Sequence, residues 1–98
     1  MSIEKQKDGK KLDIKLSGRL DRKMAPELSS MLKKELDGVE ELNFDLSELI
    51  YISSSGLRVI LSAQKTMNKQ GSMKVTGVQD IVMEVFESTG FVDILTIE

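Results

Sequence analysis

The segment ISSSGLRVIL, residues 52–61, places three consecutive serines between a short apolar stretch and the clearest helical pattern in the chain. Apolar residues then recur at the spacing of one helix face, which predicts a helix over about residues 55–69 that ends at Gly71. The first backbone N–H groups of a helix lack partners within it, and the helix dipole is positive there. An oxygen, and a phosphate above all, is therefore stabilised at this junction.

The rest of the chain alternates strand and helix patterns around this segment. Asp8-Gly9 is typical of a two-residue hairpin, and the strand before it is weakly apolar, which suits a sheet edge. The periodicity predicts further elements in this order: strands 2–7 and 11–17, helix 24–37, strand 41–46, strand 72–76 after the helix already named, helix 79–88, and a final strand within 91–97. The prediction is an α/β fold of order β-β-α-β-α-β-α-β, with a mixed, mostly parallel sheet covered by helices, in one domain of residues 1–98.

Composition and charge exclude several classes of function. Apolar residues make up 40% of the chain, charged residues 31%, and the net charge is −2, as in an ordinary globular protein. The lysines of the predicted hairpin alternate with acids, so they predict a solvated face and no binding of nucleic acid. No stretch reaches the roughly 18 apolar residues of a membrane span, and the first residues lack the core of a signal peptide. We therefore expect a cytoplasmic protein that does not insert into membranes.

The residues that most often carry catalysis are missing. The chain has no histidine and no cysteine, which removes the usual general base, thiolate and zinc ligands. A serine nucleophile needs a base within reach, and the lysines of its own helix, Lys65 and Lys69, lie several turns away. Neither a metal-binding spacing nor a glycine-rich phosphate loop is present. The sequence predicts no enzymatic activity, no metal and no cofactor.

The serines support two interpretations on physical grounds alone. In the first, one serine caps the helix, which stabilises it by about 1 kcal/mol, and the others fill a turn. In the second, one serine accepts a phosphoryl group, which adds about −1.5 to −2 charges to an uncharged docking patch and repels a partner. The helix terminus would tolerate either.

Three blocks of the sequence resemble the bacterial anti-sigma factor antagonists, the single-domain STAS family. The blocks are Asp45 through Leu57, with the serines; Gly18-Arg19-Leu20-Asp21 before the first helix; and Ser88-Thr89-Gly90-Phe91 with the closing strand. Each block alone is weak, but their spacing agrees with the predicted element order over essentially the whole chain.

The resemblance implies a partner-switching mechanism in transcription regulation. Family members bind an anti-sigma factor that is a GHKL-type serine kinase, so that a sigma factor is released. The kinase phosphorylates the antagonist at the start of the second helix, and a PP2C-type phosphatase reverses this. By position the phosphoacceptor is Ser54, and free members are commonly monomers. The implied partner-binding surface consists of Asp21, Ser53, Ser54, Ser55, Gly56, Leu57 and Arg58, with Gly56 permitting a close backbone approach.

One position departs from the family pattern, because Ser53 stands where an aspartate is usual. Three interpretations follow: a kinase that tolerates serine here, phosphorylation of Ser53 or Ser55 instead, or no phosphorylation. The third would leave a STAS scaffold, such as an adaptor subunit of a lipid-transport ABC complex or of a signalling assembly. Arg58 has two interpretations as well, as a partner contact or as a solvated helix residue.

Overall fold

The computed structural model describes residues 2–98, which form a four-stranded sheet and three α-helices. The strands are β1 (Ser2–Asp8), β2 (Lys11–Leu20), β3 (Glu41–Ile52) and β4 (Ser72–Thr76). The helices are α1 (Ala25–Glu35), α2 (Ser54–Gln70) and α3 (Asp80–Thr89), followed by a short 3₁₀ turn at Phe91–Asp93.

The sheet has the order β1-β2-β3-β4 and mixed strand directions. β1 and β2 are antiparallel and are joined by the predicted hairpin, whose Gly9 has φ of +61°. β2, β3 and β4 are parallel neighbours, so α1 and α2 lie in the two crossover connections. The predicted α/β class, with a mixed and mostly parallel sheet, is confirmed.

The core lies between one face of the sheet and the helices. Leu12 and Ile14 of β2 and Phe44 of β3 alternate with polar residues and are fully buried. All three helices contribute to the same hydrophobic cluster, for example through Leu28 of α1, Ile60 of α2 and Phe86 of α3. The sheet face opposite this cluster carries half-buried polar side chains, among them Asp13, Lys15, Asn43 and Asp45. Its polar character explains why β2 and β3 read as alternating patterns.

The predicted final strand is wrong. The left-handed Gly90 (φ +79°) ends α3, and the chain then closes a turn in which the N–H of Ile94 donates to the carbonyl of Phe91 at 3.0 Å. Leu95 is buried in the core, and only residues 96–98 follow it along β4. Ile97 forms a single parallel bridge with Val75 of β4. Leu95, with the partly buried Phe91 and Ile97, therefore packs against the core, whereas Val92 and Ile94 are exposed.

β3 is longer than the predicted strand 41–46, since it continues to Ile52. The alternation breaks at Ser47 and Glu48, which are both exposed, and this break hid the second half of the strand. At the same place the register between β2 and β3 shifts, between Lys15 and Ser17. Bulges of this kind bend a strand and re-aim its side chains. The extension carries β3 directly to the serines.

Candidate functional site at the start of α2

The site forms where two neighbouring parallel strands end at the same edge of the sheet. Leu20 ends β2 and is paired with Ile52, which ends β3. Beyond the last pair, the N–H of Ser53 donates to the carbonyl of Leu20 at 2.9 Å. The loop after β2 and the first turn of α2 are thereby held side by side, and Asp21 lies near the serines as predicted.

Ser53 is the N-cap of α2. Its backbone is extended, with φ −89° and ψ 171°, and its Oγ accepts a hydrogen bond from the N–H of Gly56 at 3.1 Å. Its carbonyl accepts the first helical bond, from the N–H of Leu57 at 2.9 Å. The capping interpretation therefore holds for Ser53, and its hydroxyl is already engaged.

The three serine hydroxyls are not equivalent. Ser54 is the first residue of α2 and is exposed, whereas Ser53 and Ser55 are half-buried. Within residues 2–98, no hydrogen bond engages the Ser54 hydroxyl or the backbone N–H groups of Ser54 and Ser55. Ser54 thus combines an accessible hydroxyl with unpaired helix-terminal donors beside it.

Asp21 builds the loop that faces the serines. Its Oδ1 accepts hydrogen bonds from the N–H groups of Lys23 and Met24, both at 3.0 Å. Its backbone carbonyl accepts another from Ala25 at 3.0 Å. One side-chain oxygen of Asp21 is therefore committed to the turn that starts α1, in the manner of an Asx turn.

Basic side chains lie in the same depression as Ser54 and on the same face of its helix. Arg22 and Lys23 are exposed and line one shallow depression together with Asp21, Tyr51 and the three serines. Arg58, exposed as predicted, is four residues after Ser54 and hence on the same helix face.

Arg19 and Tyr51 add a fourth cation and an aromatic ring to this surface. The Arg19 guanidinium lies 4.2 Å from the centroid of the Tyr51 ring, a cation–π contact between paired residues of β2 and β3. Sequence reasoning missed both as site residues, together with Arg22 and Lys23. Their meeting depends on the second register shift, between Gly18 and Arg19, which no residue pattern announces.

The predicted partner contacts of Gly56 and Leu57 need correction, because both residues are buried. A Cβ on Gly56 would lie 2.8 Å from Cγ of Leu20 and 3.0 Å from Cγ1 of Ile52. The close approach that this glycine permits is therefore internal, between α2 and the ends of the strands. Leu57, 6% exposed, belongs to the core. The two residues support the surface from beneath.

The described residues offer neither a cluster of metal ligands nor a membrane-spanning helix. Across the described residues, no three side chains of the acidic or other metal-ligating types cluster so that they could hold a metal ion. No helix within residues 2–98 has the length and apolar character needed to cross a membrane.

Comparison with known proteins gives consistent likenesses. The family model described as "Mlab, STAS domain" matches residues 3–96. The anti-sigma-B factor antagonist of Listeria monocytogenes is 35% identical over 103 residues, which cover 100% of this chain and 89% of the relative. Among solved structures, the unphosphorylated anti-sigma factor antagonist SpoIIAA aligns over 99% of this chain and 88% of its own, with a TM-score of 0.87 at 16% identity. The phosphorylated form of Bacillus SpoIIAA aligns over 99% of this chain and 91% of its own, with a TM-score of 0.79 at 15% identity.

Proposed function

Because this chain belongs to the STAS-domain family of anti-sigma factor antagonists, we propose that it binds an anti-sigma factor serine kinase of the GHKL type and thereby releases a sigma factor. Phosphorylation of Ser54 by that kinase ends the binding, and a PP2C-type phosphatase restores it. The observation that carries the proposal is the exposed, unbonded Ser54 hydroxyl at the first position of α2. In this proposal the chain acts in the cytoplasm as a monomer when free, and catalysis is left to its partners.

The geometry favours Ser54 over its neighbours as phosphoacceptor. A kinase must bring the hydroxyl oxygen in line with the phosphate of ATP, so the oxygen has to be accessible. Ser53 Oγ is turned inward to the N–H of Gly56, and Ser55 is half-buried. Ser54 meets the requirement without any change in the fold.

A phosphate on Ser54 would be compatible with the folded state. The unpaired N–H groups and the positive end of the helix dipole favour an anion at this position. Arg58 lies one turn further along the same face and can pair with it. The cost falls on a partner, because about −1.5 to −2 charges would enter the centre of its docking surface.

The proposal is tested with a purified anti-sigma factor kinase from the source genome and ATP. Mass spectrometry of the wild type is expected to locate one phosphate on Ser54, with Ser54→Ala as the unmodified control. Ser55→Ala should still be phosphorylated, since this substitution leaves the Ser54 hydroxyl in place. Complete absence of phosphate on residues 53–55 would rule out the switch. If Ser54→Asp binds the kinase with the same affinity as the wild type, control of binding by charge is ruled out.

A scaffold function is the second candidate, and Ser53 is the observation that favours it. A neutral cap stands where the family has an aspartate, and the matching family model carries the description Mlab as well as STAS. In this case the chain would be an adaptor subunit of a lipid-transport ABC complex or of a signalling assembly, and phosphorylation would not regulate its binding. Permease and ATPase genes beside its own gene, with Ser54→Asp binding the same partner as the wild type, would support this alternative over the switch.

A further inference from the structure

The charge around Ser54 differs from that of the whole chain. Although the chain carries a net charge of −2, four exposed cations lie in or beside the depression that contains this serine. Arg22 and Lys23 line it, Arg19 lies over the ring of Tyr51, and Arg58 follows Ser54 by one helix turn. We call these four residues the basic collar. Asp21 is the one carboxylate that lines the same depression. Among the residues that line the depression, two cations therefore accompany one carboxylate, and Arg19 and Arg58 add two more positive charges beside it.

The collar is not neutralised within the molecule. The ion pairs found among residues 2–98 involve Lys5, Lys10 and Lys15, and none includes a collar residue. Arg19 is held in place by the ring of Tyr51, which is itself 38% exposed. Unpaired surface cations around an exposed aromatic ring are typical of a protein-binding surface.

Ser53 preserves this charge. It satisfies the N–H of Gly56 with a neutral hydroxyl, at 3.1 Å, where an aspartate could form the same bond but would add a negative charge. A change between serine and aspartate at this position thus alters the charge of the surface while the helix remains capped. Partner choice can be tuned here without loss of fold.

We propose that the partner covers Ser54 with an acidic face, and that the neutral cap at Ser53 is a determinant of which partner is accepted. This inference rests on the proposed function, and it specifies the chemistry of the kinase surface. Carboxylates on the partner pair with the basic collar, and an apolar contact covers Tyr51. Opposite charges that meet across an interface accelerate association and exclude wrong partners. A phosphate on Ser54 then acts twice, since it occupies the collar and repels the partner's carboxylates.

The first experiment measures the dissociation constant of the kinase complex for Ser53→Asp and Ser53→Asn at several salt concentrations. Both variants keep an N-cap acceptor and differ by one charge. We expect Ser53→Asp to bind about 2- to 10-fold more weakly than Ser53→Asn at low salt, with the ratio shrinking as salt rises. Lys74→Gln, which makes the same charge change on the polar face of β4, should bind like the wild type. Equal affinities for the two Ser53 variants would overturn the proposal.

A second experiment needs no kinase and separates this inference from the proposed function. A peptide of ten glutamates is titrated into the wild-type protein at low salt while backbone amide shifts are followed by NMR. We expect the shifts to concentrate in residues 19–23 and 51–58, and to be reduced in Ser53→Asp. Shifts that are absent or located elsewhere would refute an acidic partner face. If the peptide binds here but the kinase does not, the proposed function fails, and only the preference of this surface for an acidic ligand is retained.

Discussion

Replacing Gly56 by alanine tests how the start of α2 is fixed to the sheet. Helix propensity alone predicts that this change stabilises the protein, because alanine is favoured over glycine by about 1 kcal/mol inside a helix. The structure predicts the opposite. An added Cβ would meet Leu20 at Cγ, 2.8 Å away, and at Cδ2, 3.0 Å away, with Ile52 Cγ1 also at 3.0 Å.

The magnitude follows from how little these neighbours can yield. Leu20 is fully buried and Ile52 is 5% exposed, and the nearest atom is the branch point of Leu20, not the end of a flexible chain. Overpacking costs about 1–3 kcal/mol, and because the neighbour is a buried branch point we expect the upper part of that range, about 2–3 kcal/mol, which exceeds the gain of about 1 kcal/mol in propensity. We expect a net loss of about 1–2 kcal/mol in the free energy of unfolding. For a chain of this size that lowers Tm by several degrees, about 4–15 °C.

The assay is urea unfolding followed by circular dichroism, on the wild type, Gly56→Ala, Leu20→Ala and the double variant. Leu20→Ala removes two of the three close atoms at a cost of its own of about 2–5 kcal/mol. Gly56→Ala should then be clearly less damaging in the Leu20→Ala background than alone. If Gly56→Ala is as stable as the wild type, or if its effect is unchanged without the Leu20 side chain, the packing argument is refuted.

Three further predictions concern the cap, the phosphoacceptor and a strand carboxylate. Ser53→Ala should lower the free energy of unfolding by about 1 kcal/mol, because the N–H of Gly56 loses its acceptor, whereas Ser53→Asn should keep the acceptor and the stability. Chemical denaturation measures both variants. Equal losses of stability in the two would contradict the capping role of Ser53. Phosphorylation of Ser54 should leave Tm in calorimetry no lower than in the unmodified protein, and a large drop would mean that the phosphate does not fit the helix terminus. The side chain of Ser47, and then its N–H, which donates to Asp45 Oδ1 at 2.9 Å, lower the pKa of Asp45. A lowered pKa means that the ionised Asp45 stabilises the folded state, so this stabilisation is present at neutral pH and is lost as pH falls below about 4. The difference in free energy of unfolding between wild type and Asp45→Asn should therefore shrink on acidification. A difference that stays constant with pH would contradict this account.

The sequence predicted the fold well where one period holds over a whole element. α2 was expected at 55–69 and spans Ser54–Gln70, and β4 was expected at 72–76 and is found there. The prediction failed where tertiary packing decides. The segment after Gly90 has the composition of a strand, but it places Leu95 in the core and leaves a single bridge to Val75.

The site was predicted in its centre and missed at its rim. The three serines were located because capping and helix termini follow local rules that a sequence displays, whereas Asp21 was indicated only by the resemblance to the family. The pair Arg19 and Tyr51 depends on a register shift between neighbouring strands, which is a property of the assembled sheet. Gly56 was recognised as permitting a close approach, but whether its neighbour is a partner or Leu20 is decided by packing.

The division of roles among adjacent serines explains how this surface could change its charge while the protein stays folded. Ser53 holds the helix terminus through the N–H of Gly56, and Ser54 beside it holds nothing. A phosphate on Ser53 would be attached to the same oxygen that accepts this bond. Because Ser53 is half-buried, the phosphate would disturb the cap. A phosphate on Ser54 leaves the cap intact and lies among unpaired N–H groups and Arg58. Under the proposed switch, helix capping and phosphorylation would therefore use different hydroxyls, so that modification of one would leave the other in place.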